Sequence, residues 1–153
     1  MAVEPCRRSG TAPSLEPGTV VETTAIEDLP RSLMVQYAGA SGDYNPLHTD
    51  EVYATVVAGY PTVVAHGMLT MGITGRVLTD LVGDGRLRTF GGRFHAPVLP
   101  GNSLTVRVEV GDTTVLGDGV TVVELAFTTR TGDGRTVFAG TATATWSDVS
   151  RTR

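Results

Sequence analysis

The stretch Gly67-Met-Leu-Thr-Met-Gly-Ile-Thr-Gly-Arg-Val-Leu-Thr-Asp-Leu-Val82 decides the fold of this chain. Its apolar residues recur on more than one face of a helix, which is typical of a helix surrounded by protein. Gly72 and Gly75 would each cost this helix up to about 1 kcal/mol relative to alanine, and close packing against another backbone would offset that cost. We therefore expect the rest of the chain to be built around this helix.

After this helix the hydrophobic pattern changes to a period of two, which is typical of half-buried strands. Strands are predicted at Thr89–Pro97, Leu104–Val110, Val120–Thr129 and Thr136–Trp146. The turn Gly132-Asp133-Gly134 predicts a hairpin between the last two. Because the strands follow the helices instead of alternating with them, we expect an α+β fold in which a curved antiparallel sheet wraps around the long helix.

The residues before the long helix predict one short strand and two short helices. The strand is Val20–Ile26. The first helix has Asp28 near its cap position and Pro30 in its first turn, and it runs to about Ala40. The second helix is predicted over Thr49–Ala58, capped by its first or second residue.

Two further segments are predicted to be irregular. Residues 41–46 hold glycine, asparagine and proline in close succession, which forces a loop. Residues 1–17 contain three prolines and little apolar content, so they are expected to form a loose, flexible arm. Residues 18–153 are then expected to form a single domain.

The composition excludes several classes of function. All 12 basic residues among the 153 are arginine, so chemistry that needs a Schiff-base lysine or a P-loop lysine is excluded. The net charge of −4 and the lack of a basic block argue against a nucleic-acid groove. The single cysteine, Cys6, excludes an internal disulfide framework and a multi-cysteine zinc site.

No segment is predicted to cross a membrane or to direct secretion. The longest mostly apolar stretch, Val63–Val82, contains His66, Arg76 and Asp80, which makes it a poor membrane span. The arginines near the N-terminus are not followed by an apolar run, so no secretory signal is predicted. We expect a cytoplasmic enzyme or binding module that partners neither nucleic acid nor membrane.

Polar groups with chemical potential concentrate in the loop after the first helix. Asp43 and His48 lie five residues apart across a proline, so a loop can bring carboxylate and imidazole onto one water molecule. Such a pair can take a proton from water and deliver one elsewhere. Alternatively, Asp43 closes an Asx turn or caps the following helix, and His48 is a structural residue.

The start of the long helix is a second candidate site. The first amides of a helix have no intrahelical acceptor and carry partial positive charge, and Gly67 lets an oxygen approach the backbone closely. This start could therefore stabilise an anion or an oxyanion. Alternatively, Gly67 serves packing alone and His66 only caps the helix or fills space.

The run from Tyr37 to Ala54, followed by Val64-Ala-His-Gly-Met68, resembles the MaoC-like, (R)-specific enoyl-CoA hydratase family. It is also similar to mycobacterial-type (3R)-hydroxyacyl-ACP dehydratase subunits of the same superfamily. The signature Ser-Gly-Asp-x-Asn-Pro-Leu-His, with alanine six residues after the histidine, is met at every defining position. The resemblance is densest over residues 37–72, and the predicted strand order extends it over most of residues 18–147.

This resemblance implies a hot-dog fold and assigns roles to individual residues. Asp43 would be the catalytic acid, His48 the catalytic histidine, and the backbone amide of Gly67 the oxyanion donor. Three residues would support them by shaping the loop and by hydrogen bonds: Ser41, Asn45 and His66. The family needs no metal and no cofactor beyond the carrier of its substrate. His95 falls at a variable position of the family pattern and receives no role.

The implied reaction is the reversible hydration of trans-2-enoyl thioesters, or the dehydration of (3R)-hydroxyacyl thioesters. One alternative is a hot-dog thioesterase, but the usual carboxylate on the long helix is missing and Asp80 comes too late in it. Another is a non-catalytic subunit that binds an acyl chain or stabilises a catalytic partner.

The carrier and the assembly remain open on the sequence. The substrate would be an acyl-CoA or an acyl-ACP, and Arg86, Arg88 and Arg93 form either a positive rim for that carrier or ordinary solvated strand charges. The resemblance implies a homodimer, or a heterodimer with another hot-dog subunit.

Overall fold

The computed structural model describes residues 15–116 and 120–146. In chain order they form β1 (Val20–Ile26), α1 (Arg31–Ser41), a 3₁₀ turn (Pro46–His48), a π-helical turn (Tyr53–Val57), α2 (Gly67–Val82), β2 (Leu87–Phe94), β3 (Leu104–Val115), β4 (Thr121–Thr131) and β5 (Thr136–Trp146). Most of the predicted arm, with Cys6, lies outside the described residues. The described end of the arm packs on the domain, where Leu15 is partly buried against the core.

The described strands form one antiparallel sheet in the order β1-β3-β4-β5-β2, so β1 and β2 are its edges. α2 contacts both edge strands as well as β3 and β5. A helix can contact both edges of a five-stranded sheet only if the sheet curves around it. The predicted α+β architecture is therefore confirmed, and its arrangement is the hot-dog fold.

The core lies between α2 and the concave face of the sheet. Four residues of β3 point inward and are buried, and more exposed residues alternate with them. The buried four are Leu104, Val106, Val108 and Val110. One polar contact crosses this apolar layer, where Thr74 Oγ1 of α2 lies 2.7 Å from Thr129 Oγ1 of β4. Thr74 also donates to the Thr70 carbonyl at 3.0 Å, so the buried hydroxyl is satisfied. None of the described helices is long and apolar enough to cross a membrane.

α2 and β2 lie side by side and run in opposite directions. A β-carbon added at Gly67 would lie 3.3 Å from the Phe94 ring, and one added at Gly75 would lie 3.1 Å from the Phe90 ring. The first turn of the helix is therefore next to the last residue of the edge strand. This register determines which residues can share a pocket with the helix start.

The expectation that Gly72 and Gly75 pack against another backbone is wrong. Gly75 faces the aromatic ring of Phe90, and no atom of the described residues lies within 4 Å of the position where a β-carbon of Gly72 would stand. Phe90 packs against Phe127 with a ring-centroid distance of 5.3 Å. Of these two glycines, Gly75 lies against an aromatic cluster and Gly72 has no such neighbour among the described residues.

Close backbone approach occurs instead in the sheet. Gly92 of β2 stands opposite Gly140 of β5. A β-carbon at Gly92 would lie 2.5 Å from the Ala139 carbonyl oxygen, and one at Gly140 would collide with the Gly91 carbonyl oxygen. The two glycines therefore allow the edge strand to lie against β5 at this point.

The predicted start of the first helix is wrong by a few residues. α1 begins at Arg31, directly after Pro30, and has no side-chain cap. Asp28 has a φ of 47°, and its N–H donates to Ser103 Oγ at 3.1 Å. This hydrogen bond ties Asp28 to the segment before β3. Asp28 therefore belongs to a turn and does not cap the helix.

The segment predicted as a second helix, Thr49–Ala58, is helical but wider than an α-helix. Asp50 Oδ1 accepts the N–H of Tyr53 at 3.0 Å, so the second residue of the segment is its cap. The N–H of Ala58 donates to the Tyr53 carbonyl at 2.9 Å, the five-residue spacing of a π turn.

β2 ends at Phe94, three residues before the predicted end of the strand. The His95 N–H still donates to the Val137 carbonyl at 2.9 Å, but the chain then leaves the sheet. It returns beside the residues that precede α2, where the Ala65 N–H donates to the Val98 carbonyl at 2.8 Å. This contact brings residues 95–98 next to the start of α2.

The two helix glycines provide a test of this packing. Gly72→Ala adds a methyl group in open space on an exposed helical position, so it should stabilise the protein by about 0.4–1 kcal/mol. Gly75→Ala gains the same helix propensity but presses on Phe90, so it should be clearly less stable than Gly72→Ala. Urea unfolding of both variants measures the difference, and equal stabilisation would show that the Phe90 ring yields without cost.

Candidate active site

The loop that follows α1 is held by its own side chains. Gly42 ends the helix in the left-handed conformation, with a φ of 74°. Ser41 Oγ donates to the Tyr37 carbonyl at 2.7 Å and accepts the Asp43 N–H at 3.3 Å. Asn45 Oδ1 accepts the N–H of Leu47 at 3.0 Å. These bonds fix the direction in which the Asp43 side chain leaves the loop.

Three predicted site residues meet at one point. Asp43 Oδ2 lies 3.8 Å from His48 Nε2 and 4.0 Å from His66 Nε2. The two imidazole rings are stacked, with centroids 3.7 Å apart and 26° between their planes. The side chain of Asp43 is 54% exposed, that of His48 11% and that of His66 2%. The carboxylate is therefore accessible to solvent, whereas the two imidazole rings are largely buried.

Asp43 and His48 each use one side-chain atom in a structural contact. Asp43 Oδ1 accepts the N–H of Asn45 at 3.2 Å and closes an Asx turn, while Oδ2 points to the histidines. His48 Nδ1 lies 2.6 Å from the Val64 carbonyl oxygen, which anchors the ring to the residues before α2. One atom of each side chain is structural, and the other atom is available for chemistry.

The hydrogen-bond partners determine the ring tautomers. A carbonyl oxygen only accepts, so His48 carries its proton on Nδ1 and His66 donates from Nε2 to the Asp43 carbonyl at 3.0 Å. In neutral His48, Nε2 is then a free acceptor facing Asp43 Oδ2. Their separation of 3.8 Å is too long for a direct hydrogen bond. A molecule that donates to both atoms would fit between them.

A pocket of about 380 Å³ opens beside this cluster. His48 and Gly67 line it together with Tyr60, Thr70 and Phe94, and the rest of its wall is formed by His95, Ala96, Pro97, Val98, Val64, Ala65 and Val137. Gly67 is the first residue of α2, so its N–H has no acceptor within the helix. The wall is mainly apolar, and its polar residues include His48, Tyr60, Thr70 and His95.

The remaining charged residues considered from the sequence lie elsewhere. Arg88 is six residues from Phe94 along β2, about 20 Å at the usual rise per residue, and its Nε donates to Thr145 Oγ1. Arg93 directly precedes the lining residue Phe94, but neighbouring side chains of a strand point to opposite faces, so Arg93 does not share the face that Phe94 presents to the pocket. Asp80 is exposed near the far end of α2, roughly 20 Å from Gly67.

The cluster also offers potential metal ligands, since atoms of Asp43, His48 and His66 lie within 4.8 Å of one another. The His66 nitrogen on the Asp43 side is already committed to a backbone carbonyl. A zinc site requires unprotonated nitrogens directed at the ion. The observed hydrogen bonds therefore suit proton transfer better than metal binding, and we do not assign these residues as ligands.

Two features of the site could not be predicted from the sequence. Nothing in the spacing between His48 and His66 indicated that their rings stack, because the contact depends on how the 3₁₀ turn meets the start of α2. His95 and Phe94 line the pocket only because the chain bends after β2. The proline at position 97 was the one local signal that the strand ends early.

A polar network braces the segment that carries the site. Arg31 donates to Glu51 Oε2 and to Thr62 Oγ1, both at 2.7 Å, and Thr62 Oγ1 donates to Glu51 Oε2 at 3.1 Å. The hydrogen bond from Arg31 holds the pKa of Glu51 below its ordinary value of 4.5, and the bond from Thr62 adds to this effect. The network links the start of α1 to both ends of the segment that contains the π turn.

Comparison with known proteins finds one family along most of the chain. The family model described as "MaoC like domain" matches residues 10–131. The chain is 43% identical over 68 residues to 3-hydroxyacyl-thioester dehydratase Y of Mycobacterium tuberculosis, a match that covers 42% of this chain and 23% of that protein. The chain therefore spans less than a quarter of the length of this relative.

Two solved structures share the fold over nearly their whole length. The (R)-hydratase from A. caviae involved in PHA biosynthesis has a TM-score of 0.73 and 27% identity, covering 86% of this chain and 96% of that one. A chain of the ChsH1–ChsH2 complex from Mycobacterium tuberculosis has a TM-score of 0.62 and 22% identity, covering 86% and 97%. The second likeness is one of fold alone.

The lowered pKa of Glu51 predicts a pH-dependent contribution to stability. A carboxyl group with a lowered pKa in the folded state stabilises it above its ordinary pKa, and this contribution is lost as the pH falls through the folded-state value. The wild type should therefore be more stable than Glu51→Gln at about pH 7, and the difference should shrink below pH 4.5. Urea unfolding across this range measures it, with Glu22→Gln on β1 as the surface-charge control. A difference independent of pH would contradict the assignment.

Proposed function

The chain belongs to the MaoC-like domain family, and from that premise we propose that it reversibly hydrates trans-2-enoyl thioesters to (3R)-hydroxyacyl thioesters. The observation that carries this proposal is the pair of acceptors Asp43 Oδ2 and His48 Nε2, which lie 3.8 Å apart, with His48 in the pocket lining. The names of the relatives, a 3-hydroxyacyl-thioester dehydratase and an (R)-hydratase, support the same chemistry.

Water is the substrate that this pair is suited to hold. A water molecule has two protons to donate, and Asp43 Oδ2 and His48 Nε2 each offer a lone pair. With both protons engaged, an oxygen lone pair remains to attack the β-carbon of the enoyl group. One water proton passes to the pair, and the pair returns a proton to the α-carbon. A positioned acid or base of this kind contributes typically about 10²–10⁴-fold to the rate.

The start of α2 would stabilise the charge that develops during addition. As the oxygen attacks the β-carbon, electron density moves to the thioester oxygen. The Gly67 N–H, at the positive end of the helix dipole, can donate to that oxygen from the pocket wall. The loss of one such donor costs about 2.7–4 kcal/mol of transition-state stabilisation in studied enzymes.

The same groups serve the reverse reaction. The pair would remove a proton from the α-carbon and give one to the leaving hydroxyl, which departs as water. We propose that no metal and no cofactor take part other than the CoA or acyl carrier protein that bears the acyl group.

We also propose that the active form is a homodimer. Several apolar side chains are exposed in the single chain, among them Val56, Val57, Met68 and Phe94, and Phe94 lines the pocket. Exposed apolar surface that extends to a site is typical of an interaction surface. β2, which ends at Phe94, is an edge strand with one side unpaired. A second hot-dog chain could cover both features, and a different hot-dog subunit is the alternative partner.

The catalytic assignment predicts the behaviour of two isosteric variants. Asp43→Asn and His48→Asn should each lower kcat/KM for crotonyl-CoA hydration by at least about 10²-fold, because each removes a proton-transfer group. Chiral analysis should identify the wild-type product as (R)-3-hydroxybutyryl-CoA. Asp80→Asn, at the far end of α2, is the matched control and should keep wild-type activity. Full activity in both site variants would refute the assignment.

The assembly is tested by native mass spectrometry of the purified chain, followed by the same assay. A homodimer that turns over substrate without additions is the expected result. A monomer that gains activity only with a second hot-dog subunit would replace the homodimer by a heterodimer. Turnover of crotonyl-ACP but not crotonyl-CoA would instead identify the carrier.

A further inference from the structure

We propose that His66 is a positioning residue for the reaction described above, which holds Asp43 and His48 at their working separation without itself exchanging a proton. This inference rests on the proposed hydration activity. The sequence predicted only that His66 supports the site. The geometry now points to two specific contacts through which it acts.

The first contact is with the backbone of the catalytic acid. His66 Nε2 donates to the carbonyl oxygen of Asp43 at 3.0 Å, a bond between residues 23 apart in the chain. The loop bonds made by Ser41 and Asn45 are local, so they set the shape of the loop but not its place on the domain. His66 stands at the start of the buried helix, and its bond attaches the loop to that helix.

The second contact is with the catalytic imidazole. The rings of His66 and His48 are stacked 3.7 Å apart, and the His66 ring also lies near Tyr37, at a centroid distance of 5.1 Å. The stack prevents His48 from tilting out of the orientation set by its bond to Val64. When His48 takes a proton, a neutral ring against its face is a favourable neighbour, whereas a charged one would repel it.

The remaining nitrogen of His66 explains why the ring would not exchange protons. Nδ1 is buried and has no hydrogen-bond partner among the described residues. A proton placed there would be a buried donor without an acceptor, and it would lie at the positive end of α2. A flipped ring would lose the present bond from Nε2 to the Asp43 carbonyl. One tautomer in one orientation is therefore the arrangement that the site accommodates.

Two substitutions separate the contacts. His66→Gln can place an amide N–H near the position of Nε2, so it keeps the bond to Asp43 and loses the stack. His66→Phe keeps a ring against His48 and loses the donor. Because misplacement of a reacting group by about 1 Å costs about 10²-fold, we expect His66→Phe to lower kcat by about 10²-fold with little change in KM. His66→Gln should recover a large part of that loss.

Thr74→Val supplies the control for stability. It removes the buried hydrogen bond between α2 and β4, two turns along the helix from the site. It should lower the melting temperature without changing kcat or KM. If His66→Phe behaves like Thr74→Val, or if His66→Gln is as slow as His66→Phe, the positioning role through the Nε2 donor is wrong. A wild type without hydratase activity on either carrier would overturn the proposed function and this inference together.

A measurement without turnover tests the same assignment. The chain has three histidines, so long-range proton–nitrogen NMR spectra can be assigned with His66→Gln and His48→Asn. Near neutral pH, His66 should appear as the Nε2–H tautomer and His48 as the Nδ1–H tautomer. A His66 ring protonated on Nδ1, or one that exchanges freely between tautomers, would overturn the inference even if all variants remain active.

Discussion

The burial of α2 against a sheet that reaches both of its flanks determines where every other element can lie. The buried residues of α2, from Leu69 to Val82, spread over a wide arc of the helix surface, which a flat sheet would not cover. The sheet curves until β1 and β2 both contact the helix. The first turn of α2 is the end of the helix that lies next to the loop after α1, to which His66 is hydrogen-bonded. The site therefore stands where the buried helix begins.

The chemistry of the site uses groups that helix formation leaves unpaired. The first amides of α2 cannot bond within the helix, so a glycine there offers a donor to the pocket. The residue before it, His66, contributes a ring instead of a side-chain cap. The loop after α1 supplies the carboxylate and the second imidazole, and backbone carbonyls of neighbouring segments set both tautomers. Proton-transfer groups are thus oriented by main-chain atoms that the fold holds in place.

The sequence predicted the elements well where one local signal dominated. The bounds of α2 and β5 are those expected, because periodicity and flanking glycines agree there. Asp28 failed as a cap because its turn is tied to Ser103, a partner that no local pattern reveals. The signature residues Asp43 and His48 lie together as the motif implies, with their roles still to be measured. The stacking of His66 and the placement of His95 in the pocket wall depend on contacts between distant segments, which spacing does not encode.

The Gly92–Gly140 pair constrains how the pocket can be altered by directed evolution. It holds the middle of β2 against β5 so closely that side chains at either position would separate the strands. Phe94 lies two residues beyond this point, so its backbone has little freedom to shift. Libraries aimed at a different acyl group would therefore leave both glycines unchanged and vary Tyr60 and Ala96, which line the pocket outside this pair of strands.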